Sequence, residues 1–371
     1  MKSLYKAYIR PVLFRIQPER IHNLALRVLS VFGRFNKLVS LANTRFTYHH
    51  SKLVQTIADI RFDNPVGLAA GFDKNGHAIE MLGGFGFGHI EIGSVSAYPS
   101  KGNPPPRLFR IPKEHAIVVS YGVPNDGAEV VATRLNGRNP AVPLGINLVK
   151  TNDATRPNTD EEVLLDYTLS FKRLQHSCSY INLNMSCPNS ANDRDFFDEP
   201  SRIHALLERL STLSPSVPVF LKLKPVRDDM VLRKIVEIAD EFPFIAGFEF
   251  NLPAGKPAEL VFTTPREKWV KYPGAVSGRP VEQLMNANLK MLYKIIGRDS
   301  RFKMIAAGGI FSAEDAYRKI RLGASLVQLY TAMVYEGPGI VKEINQGLVK
   351  LLERDGFAHI SEAVGADHLK N

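Results

Sequence analysis

The sequence is poor in the features that define several protein classes. It has only two cysteines, Cys178 and Cys187, in 371 residues, which excludes a disulfide-stapled scaffold. No apolar run approaches the roughly 20 residues that a membrane-spanning helix requires. The first residues also lack a continuous apolar segment followed by a small-residue cleavage site, so we expect no secretory signal. No GxGxxG motif opens a helix after the first predicted strand, which leaves a Rossmann dinucleotide site without support.

The overall composition is that of an ordinary globular protein. Apolar residues make up 44% of the chain and charged residues 23%, which excludes disorder, collagen and coiled coil as descriptions of the whole. The length fits one large α/β barrel. An excess of Lys and Arg over Asp and Glu, 47 against 37, gives a net charge of +10. Such a charge favours an anionic partner: nucleic acid, phosphate or a lipid surface.

More than half of that excess charge lies in residues 1–35, where Glu19 is the only acidic residue. Apolar residues from Ile21 to Phe32 recur at spacings of three and four, which predicts an amphipathic helix beginning at Pro18. Two interpretations stay open: a helical pair packed on the main domain, or an interfacial hairpin whose basic residues meet anionic head groups. A transit peptide is a third, weaker interpretation.

After residue 50, short apolar runs alternate with helical stretches. The apolar runs predict eight strands, at 66–70, 89–95, 144–147, 180–184, 217–223, 245–251, 303–307 and 325–330. Helices are predicted between several of them, at 74–84, 160–176, 200–212, 228–241, 281–297, 313–322 and 337–354. Nearly continuous apolar runs are typical of parallel strands covered on both faces. The pattern predicts an α/β fold, a (β/α)8 TIM barrel with an N-terminal helical extension; a doubly wound open sheet is the alternative.

Polar side chains or glycines occur at the carboxyl ends of all eight predicted strands. In a barrel these ends share one rim, which is where barrel enzymes keep their active sites. Packing alone does not explain eight such termini around a single opening. The positions are 71–74, 93–94, Asn147, Asn184, Lys222, Asn251, 308–309 and 330–331.

The loops after the last two strands predict a phosphate site. Gly308 and Gly309 allow backbone N–H groups to approach a phosphate closely, and a helix beginning near Ser312 would add its positive end. The second loop, residues 330–332, lies in the other place where such barrels bind phosphate. A simple tight turn would explain the glycine pair alone, but the presence of both loops favours phosphate.

Five segments together resemble the dihydroorotate dehydrogenases of the membrane-associated, quinone-linked class. They are residues 64–74, 90–95, 106–110, 277–280 and 323–331, and the tail at 365–368 also matches. The resemblance covers essentially the whole chain. It implies an FMN cofactor, oxidation of dihydroorotate to orotate in pyrimidine biosynthesis, and transfer of the electrons to quinone. It also implies peripheral attachment to the cytoplasmic face of the cell membrane through residues 1–40, with the barrel over 41–371.

The resemblance assigns site residues by position. Lys74, Asn184 and Asn189 match substrate contacts, and Arg110 and Tyr330 match positions that line the quinone tunnel. For Arg110, a surface salt bridge is the alternative. The positions predicted to bind the cofactor are Ala70, Gly71, Lys74, Ser94, Asn147, Asn184, Lys222, Asn251, Gly278, Gly309, Tyr330 and Thr331.

Two positions are predicted to act in the chemistry. A lysine inside an apolar strand is costly unless it meets an anion, so Lys222 is expected to face the charge that reduction places on the flavin. Cys187 occupies the family's base position, where the quinone-linked enzymes carry serine and the soluble relatives carry cysteine. A thiol is a few per cent ionised at neutral pH, which makes Cys187 competent as a base. An inert buried cysteine is the alternative.

The positions expected to hold the substrate depart from the family pattern. Val119 and Ser120 stand where the family has asparagine and arginine, and Leu252 and Pro253 replace an Asn–Thr pair. Each lost hydrogen bond would cost roughly 1–3 kcal/mol. Three functions therefore stay open: dihydroorotate oxidation, a related flavoenzyme with a different small-molecule substrate, and a non-catalytic flavin-binding barrel. We predict no metal site and no nucleic-acid partner, because no recognition motif accompanies the basic residues. The oligomeric state stays open.

Overall fold

Eight parallel strands close into a barrel in the computed structural model, which describes residues 4–156, 158–186 and 196–369. Each strand pairs with its neighbour in sequence, and the last pairs with the first through Val327 and Val66. The TIM barrel is thus confirmed and the open sheet is excluded. The strands are Val66–Leu68, His89–Val95, Leu144–Leu148, Tyr180–Asn184, Val219–Leu223, Ile245–Phe250, Lys303–Ala307 and Leu326–Leu329.

Helices cover the outside of the barrel. Several begin at a side-chain cap, as at Thr159, Asp228 and Ser312, whose oxygens accept backbone N–H groups of the first helical turn. Leucine and isoleucine stripes on these helices are fully buried against the strands. The helices are Ile79–Gly83, Ala128–Leu135, Asp160–Leu174, Pro200–Ser211, Asp229–Asp240, Glu282–Ile296, Ala313–Arg321, Thr331–Glu336, Ile340–Asp355 and Ile360–Ala363.

The first predicted helix is shorter than expected. It begins at Ile79 rather than at residue 74, because the Asp73 carboxylate accepts hydrogen bonds from the backbone N–H groups of His77 and Ala78. Gly76 has a φ of +69°, which a helix does not accommodate. The segment therefore forms a turn that holds residues 71–74 at the barrel mouth.

Two small antiparallel elements are not predicted from the sequence. The strands Leu108–Ile111, Ala116–Val119 and Ala275–Gly278 form a three-stranded sheet. The hairpin Gln55–Ile57 and Ile60–Phe62 packs Ile57 and Phe62 against Tyr180, Phe220, Ile305 and Leu326 in the barrel interior. Strands of three or four residues are too short to show an alternating pattern.

The N-terminal extension consists of helices laid against the barrel. A turn of π-helix at Tyr5–Ile9 leads into Arg10–Leu13, and the helices Pro18–Phe32 and Asn36–Phe46 follow. The predicted amphipathic helix is confirmed. The helix Asn36–Phe46 continues past residue 40, where the sequence places the end of the extension. No helix in the described part of the chain has the length and hydropathy needed to cross a membrane.

Polar contacts fix the extension to the barrel at several points. Tyr5 Oη donates to the carbonyl of Val334 at 2.8 Å, and Lys6 pairs with Glu336 at 2.7 Å. Farther along, Glu19 forms an ion pair with Arg107 at 2.7 Å. These contacts hold the beginning of the extension beside the barrel mouth. The extension is therefore packed on the main domain, as the first of the two interpretations expects.

Candidate active site

A pocket opens where the carboxyl ends of the barrel strands meet the antiparallel sheet. Residues at the ends of all eight strands line it, together with Ile117, Val119 and Gly278 of the sheet. The strand ends predicted to form an active site thus share one opening. The lining includes every position predicted to bind the cofactor: Ala70, Gly71, Lys74, Ser94, Asn147, Asn184, Lys222, Asn251, Gly278, Gly309, Tyr330 and Thr331.

Amide side chains from neighbouring strands form one hydrogen-bonded network in this pocket. Ser94 Oγ donates to Asn147 Oδ1 at 2.5 Å and accepts from Asn184 Nδ2 at 3.3 Å. Asn251 Nδ2 donates to Asn184 Oδ1 at 2.9 Å and to the carbonyl of Ser186 at 2.8 Å. Because each amide is held by its neighbour, its donor and acceptor already point in fixed directions before a ligand binds.

Lys222 adjoins this network between two buried carboxylates. Its Nζ lies 2.7 Å from Glu249 Oε1 and 3.5 Å from Glu91 Oε1, and Asn147 Nδ2 donates to the same Glu91 oxygen at 3.1 Å. The sequence predicts that Lys222 meets an anion, and the protein itself supplies two. Burial alone would lower the pKa of Lys222, but Glu249 and Glu91 outweigh burial and raise it. The ammonium group is therefore charged at neutral pH.

Lys74 supplies a second cation to the pocket. Its Nζ donates to the carbonyl of Gly71 at 3.0 Å and lies 3.8 Å from the centre of the Tyr121 ring. Burial, followed by the nearby charge of Arg107, lowers the pKa of Lys74 to about 8. This poorly solvated ammonium group is suited to binding a carboxylate or carbonyl oxygen.

Two glycines that line the pocket have unusual backbone angles: Gly309, from the pair predicted to hold phosphate, and Gly278, predicted as a cofactor contact. Gly278 and Gly309 have φ angles of +98° and +80°, which strongly favour glycine. A Cβ would lie 2.2 Å from the carbonyl oxygen of His115 at the first position and 2.5 Å from Glu282 Cβ at the second. Without side chains, the backbone here can approach a phosphate closely.

The helix Ala313–Arg321 contributes less to this site than the sequence suggests. Ser312 Oγ accepts the backbone N–H of Asp315 at 3.2 Å, and the Asp315 carboxylate accepts that of Phe311 at 2.9 Å and pairs with Arg279 at 3.2 Å. These side chains already satisfy the first turn, so the positive end of the helix is partly neutralised. Of the two elements, the glycine backbone is therefore the better suited to a phosphate.

The pocket is chemically suited to flavin mononucleotide. The hydroxyls of Tyr121 and Tyr330 and Oε1 of Gln328 have no hydrogen-bond partner within the described residues, and all three side chains line the pocket. A flavin ring carries donors and acceptors along its pyrimidine edge, which the fixed amides and Lys222 complement. The glycine-lined end is suited to its phosphate. The residues present therefore fit this cofactor.

Apolar side chains line the part of the pocket where the sequence departs from the family pattern. Val119, Val123 and Leu252 all contact the pocket space. Ser120 does not line the pocket, and its backbone groups bond to Arg107 and Asn103 instead. The sequence departures at residues 119 and 252 thus lie within the pocket, whereas the departure at residue 120 lies outside it.

Arg110 lies between the antiparallel sheet and the N-terminal extension, outside the pocket lining. Its guanidinium donates to the carbonyls of Leu13 and Phe14 at 3.4 Å and to that of Ile16. It also lies 4.3 Å from the centre of the Phe14 ring. Arg110 therefore holds the chain at the end of the helix Arg10–Leu13. That it contacts the quinone stays a prediction. Tyr330 lies in the pocket, with the ring of His22 stacked at 6.4 Å.

Cys187 and Asn189 lie outside the described residues, so their predicted roles stay predictions. The other cysteine, Cys178, is half-buried on the outside of the barrel, and burial raises the pKa of its thiol well above the usual range. The sequence reasoning missed Glu91, Glu249 and Gln328 in the barrel interior. A signal was available, because each interrupts an apolar strand with a polar side chain, as Lys222 does.

Comparison with known proteins shows the family of this chain. The family model described as dihydroorotate dehydrogenase matches residues 52–352. The curated dihydroorotate dehydrogenase (quinone) of Natronomonas pharaonis is 36% identical over 359 residues, covering 97% of this chain and 98% of the relative. The relative of the same name from Halobacterium salinarum is 37% identical over 360 residues, covering 97% and 99%.

Solved structures resemble the whole chain as well. The ligand-free DHODH of Eimeria tenella aligns with a TM-score of 0.81 at 27% identity, covering 95% of this chain and 99% of that one. Its complex with ferulenol aligns with a TM-score of 0.78 at 26% identity, covering 96% and 99%. With a matching family model, full-length relatives above one-third identity and a shared barrel, this chain belongs to the dihydroorotate dehydrogenase family.

Proposed function

We propose that this chain is an FMN-dependent oxidoreductase that oxidises dihydroorotate to orotate and passes the electrons to quinone. The observation that carries the proposal is the convergence of all twelve predicted cofactor positions on one pocket of a chain in this family. A bare barrel has no reason to gather polar side chains and glycines from the ends of eight strands around one opening. A non-catalytic flavin-binding barrel has no specific observation in its favour.

FMN is the cofactor that we propose for the pocket. Bound there, it would accept two electrons and a proton as hydride and later release the electrons to the acceptor. Lys222 would stabilise the negative charge that accompanies reduction. Asn147 and Asn184 would orient the ring and the substrate, and Gly278 and Gly309 would bind the phosphate through their backbone.

Proton removal from the substrate is assigned to Cys187, the position that the family resemblance gives to the base. Lys74 and Asn184, with Asn189, would hold the substrate's polar groups. We expect the change Cys187→Ala to slow substrate-driven reduction of the flavin by a factor on the order of 10²–10⁴. Cys178→Ala is the matched control, because that thiol does not line the pocket and burial raises its pKa, which suppresses its ionisation.

Anaerobic mixing with dihydroorotate tests the substrate directly. The absorbance band of oxidised flavin should bleach in the parent chain and in Cys178→Ala, and far more slowly in Cys187→Ala. No bleaching in the parent, with chemical reduction intact, would favour the different substrate that the apolar residues Val119 and Leu252 permit. A protein that retains no FMN would overturn the cofactor assignment itself.

Quinone is proposed to reach the flavin from the N-terminal extension, at the cytoplasmic face of the cell membrane. The extension exposes many large apolar side chains beside its basic residues, a combination suited to anionic lipid surfaces. These side chains are Leu4, Tyr8, Ile9, Val12, Ile16, Leu24, Val28, Val31, Phe32, Phe35, Leu38 and Leu41. Arg110 and Tyr330 are the residues proposed to meet the quinone.

A further inference from the structure

Glu249 is a buried carboxyl group in the active site that the proposed reaction does not use. It belongs to the sixth barrel strand, Ile245–Phe250, lines the pocket and is 1% exposed. The strand register places it directly opposite Lys222, and the two side chains meet at 2.7 Å. Any change in the charge of Glu249 therefore acts on the lysine that is proposed to face the flavin.

The two carboxylates around Lys222 are unequally supported. Glu91 accepts hydrogen bonds from Asn147 at 3.1 Å, Gln328 at 3.0 Å, and Tyr180 and Asn182 at 3.2 Å each. Among the described residues, Glu249 accepts a hydrogen bond from Asn182 alone besides its contact with Lys222. A carboxylate with more donors is better stabilised in its charged form. Glu249 is therefore the member of the pair that binds a proton more readily.

The charges in this layer do not cancel. One ammonium group, Lys222, faces two carboxylates, while Tyr180 of the fourth strand is neutral because burial raises its pKa well above the usual range. His89 of the second strand is neutral as well, since burial lowers its pKa to about 4. The seventh strand places the uncharged Ile305 beside Glu249. A buried net negative charge is costly and favours proton uptake.

Burial and the neighbouring Glu91 act in the same direction on Glu249. Burial is the larger cause, the charge of Lys222 opposes it only partly, and the pKa of Glu249 is raised to about 7. Both protonation states of this group are thus accessible near neutral pH. A further negative charge placed in the pocket would raise its proton affinity again.

We propose that Glu249 takes up one proton when the flavin is reduced and releases it on reoxidation, and so acts on the cofactor through Lys222. The inference rests on the proposed function. Hydride transfer brings two electrons and one proton, which adds one negative charge to the pocket. A second proton at Glu249 cancels that charge and frees Lys222 to face the flavin. On reoxidation two electrons and two protons leave, and quinone takes them up to become quinol.

A redox titration of the purified holoprotein with mediator dyes tests this, because it needs no substrate. Between the pKa of Glu249 in the oxidised protein and its higher pKa in the reduced protein, the parent should take up one more proton per electron pair than Glu249→Gln. A tenfold change in proton activity then shifts the parent's midpoint potential by about 30 mV more than the variant's. Glu249→Asp, which keeps a carboxyl group, should restore part of the parent's slope.

Glu114→Gln is the matched control. Glu114 is buried outside the pocket, and hydrogen bonds from Thr264 and Thr263 overcome burial and lower its pKa. It carries no proton to exchange at neutral pH, so its replacement should leave the slope unchanged. A purely structural effect of removing a buried carboxylate would appear in both variants.

Infrared difference spectra of the reduced minus oxidised parent provide a readout that does not depend on any variant folding. The carbonyl stretch of a protonated carboxylic acid should appear on reduction and should be missing in Glu249→Gln. Equal slopes in parent and Glu249→Gln, or no carboxylic-acid band in the parent, would overturn the inference and leave the proposed function intact. A chain that binds no FMN would overturn both.

Discussion

The barrel interior and the N-terminal extension both depart from the rule that charged side chains are exposed and apolar side chains are buried. The interior buries three charged side chains, Glu91, Lys222 and Glu249, in contact with one another. The extension leaves large apolar side chains such as Leu24 and Leu41 exposed to solvent. Buried charge and exposed apolar surface are both unfavourable in a free monomer. The proposed function accounts for both, with a cofactor in the first region and a lipid surface in the second.

The largest effect is expected from Lys222→Met, which removes the cation that lies between Glu91 and Glu249. Two carboxylates would remain without a counter-charge, and breaking a buried pair in this way costs roughly 3–5 kcal/mol. We expect loss of bound FMN during purification and a clear drop in the urea midpoint. Lys319→Met is the control, because Lys319 is also buried but its ammonium group donates to the neutral side chain of Asn286, at 2.7 Å.

Retention of flavin and stability in Lys222→Met would show that the buried charges are ordinary core residues. A similar loss in Lys319→Met would attribute the effect to the removal of any buried lysine. The comparison between the two variants therefore separates the role of charge at the pocket from that of packing.

The second prediction concerns the extension. Replacing Leu24, Val28 and Leu41 by serine removes apolar side chains that are already solvent-exposed, so folding and flavin reduction should be unchanged. Each side chain that inserts into lipid contributes on the order of 1 kcal/mol or more. We therefore expect binding to anionic liposomes to weaken by about a hundredfold, with slower quinone reduction.

A triple serine variant at Val130, Met230 and Val261 is the matched control. These side chains are exposed to a similar degree but lie on the barrel, away from the extension. If both triple variants lose liposome binding equally, the contact is non-specific. If neither loses it, the extension is a packed helical element without a membrane role.

His22 connects the two regions and should make stability depend on pH. It lies on the helix Pro18–Phe32, bonds to the carbonyl of Phe72 at 2.8 Å, and is held neutral because burial lowers its pKa to about 3. Below the ordinary histidine pKa the unfolded chain binds a proton that the folded chain does not. Stability is therefore full above about pH 6.5 and falls as the pH drops, by about 2 kcal/mol at pH 5.

His22→Gln should remove that part of the pH dependence in urea unfolding at pH 5 and pH 7. His89 is present in both proteins and contributes equally, so the difference between them reports on residue 22. An unchanged pH dependence would mean that the imidazole is accessible to solvent and that the extension does not seal this side of the pocket.

The barrel itself is well predicted from sequence, and the reason is physical. Parallel strands covered on both faces are short, continuous apolar runs, so all eight appear directly in the sequence. The antiparallel sheet at residues 108–119 and 275–278 does not, because its strands are short and the third strand pairs with a segment more than 150 residues earlier in the chain. Local propensity carries no information about such pairing.

The site is predicted less evenly. Positions at strand ends, such as Asn147 and Asn184, follow from the topology of a barrel, and every strand end contributes residues to the pocket lining. Glu249 is not predicted, because its meaning depends on the register that sets it opposite Lys222. A polar residue in an apolar strand signals that it has a partner, but only the register identifies that partner as Lys222.

The smallest predicted effect lies on the apolar side of the pocket, where Val119 and Leu252 replace polar residues of the family pattern. Val119→Asn would restore one donor or acceptor without disturbing the cofactor positions. A hydrogen bond of this kind contributes about 1 kcal/mol, so dihydroorotate should bind roughly fivefold more tightly, as measured by the concentration dependence of anaerobic flavin bleaching. Val130→Asn, on the outer surface, is the control. Weaker binding in Val119→Asn alone would instead mean that the pocket has adapted to a less polar substrate. The cofactor half of the pocket would then follow the family pattern while the substrate half does not.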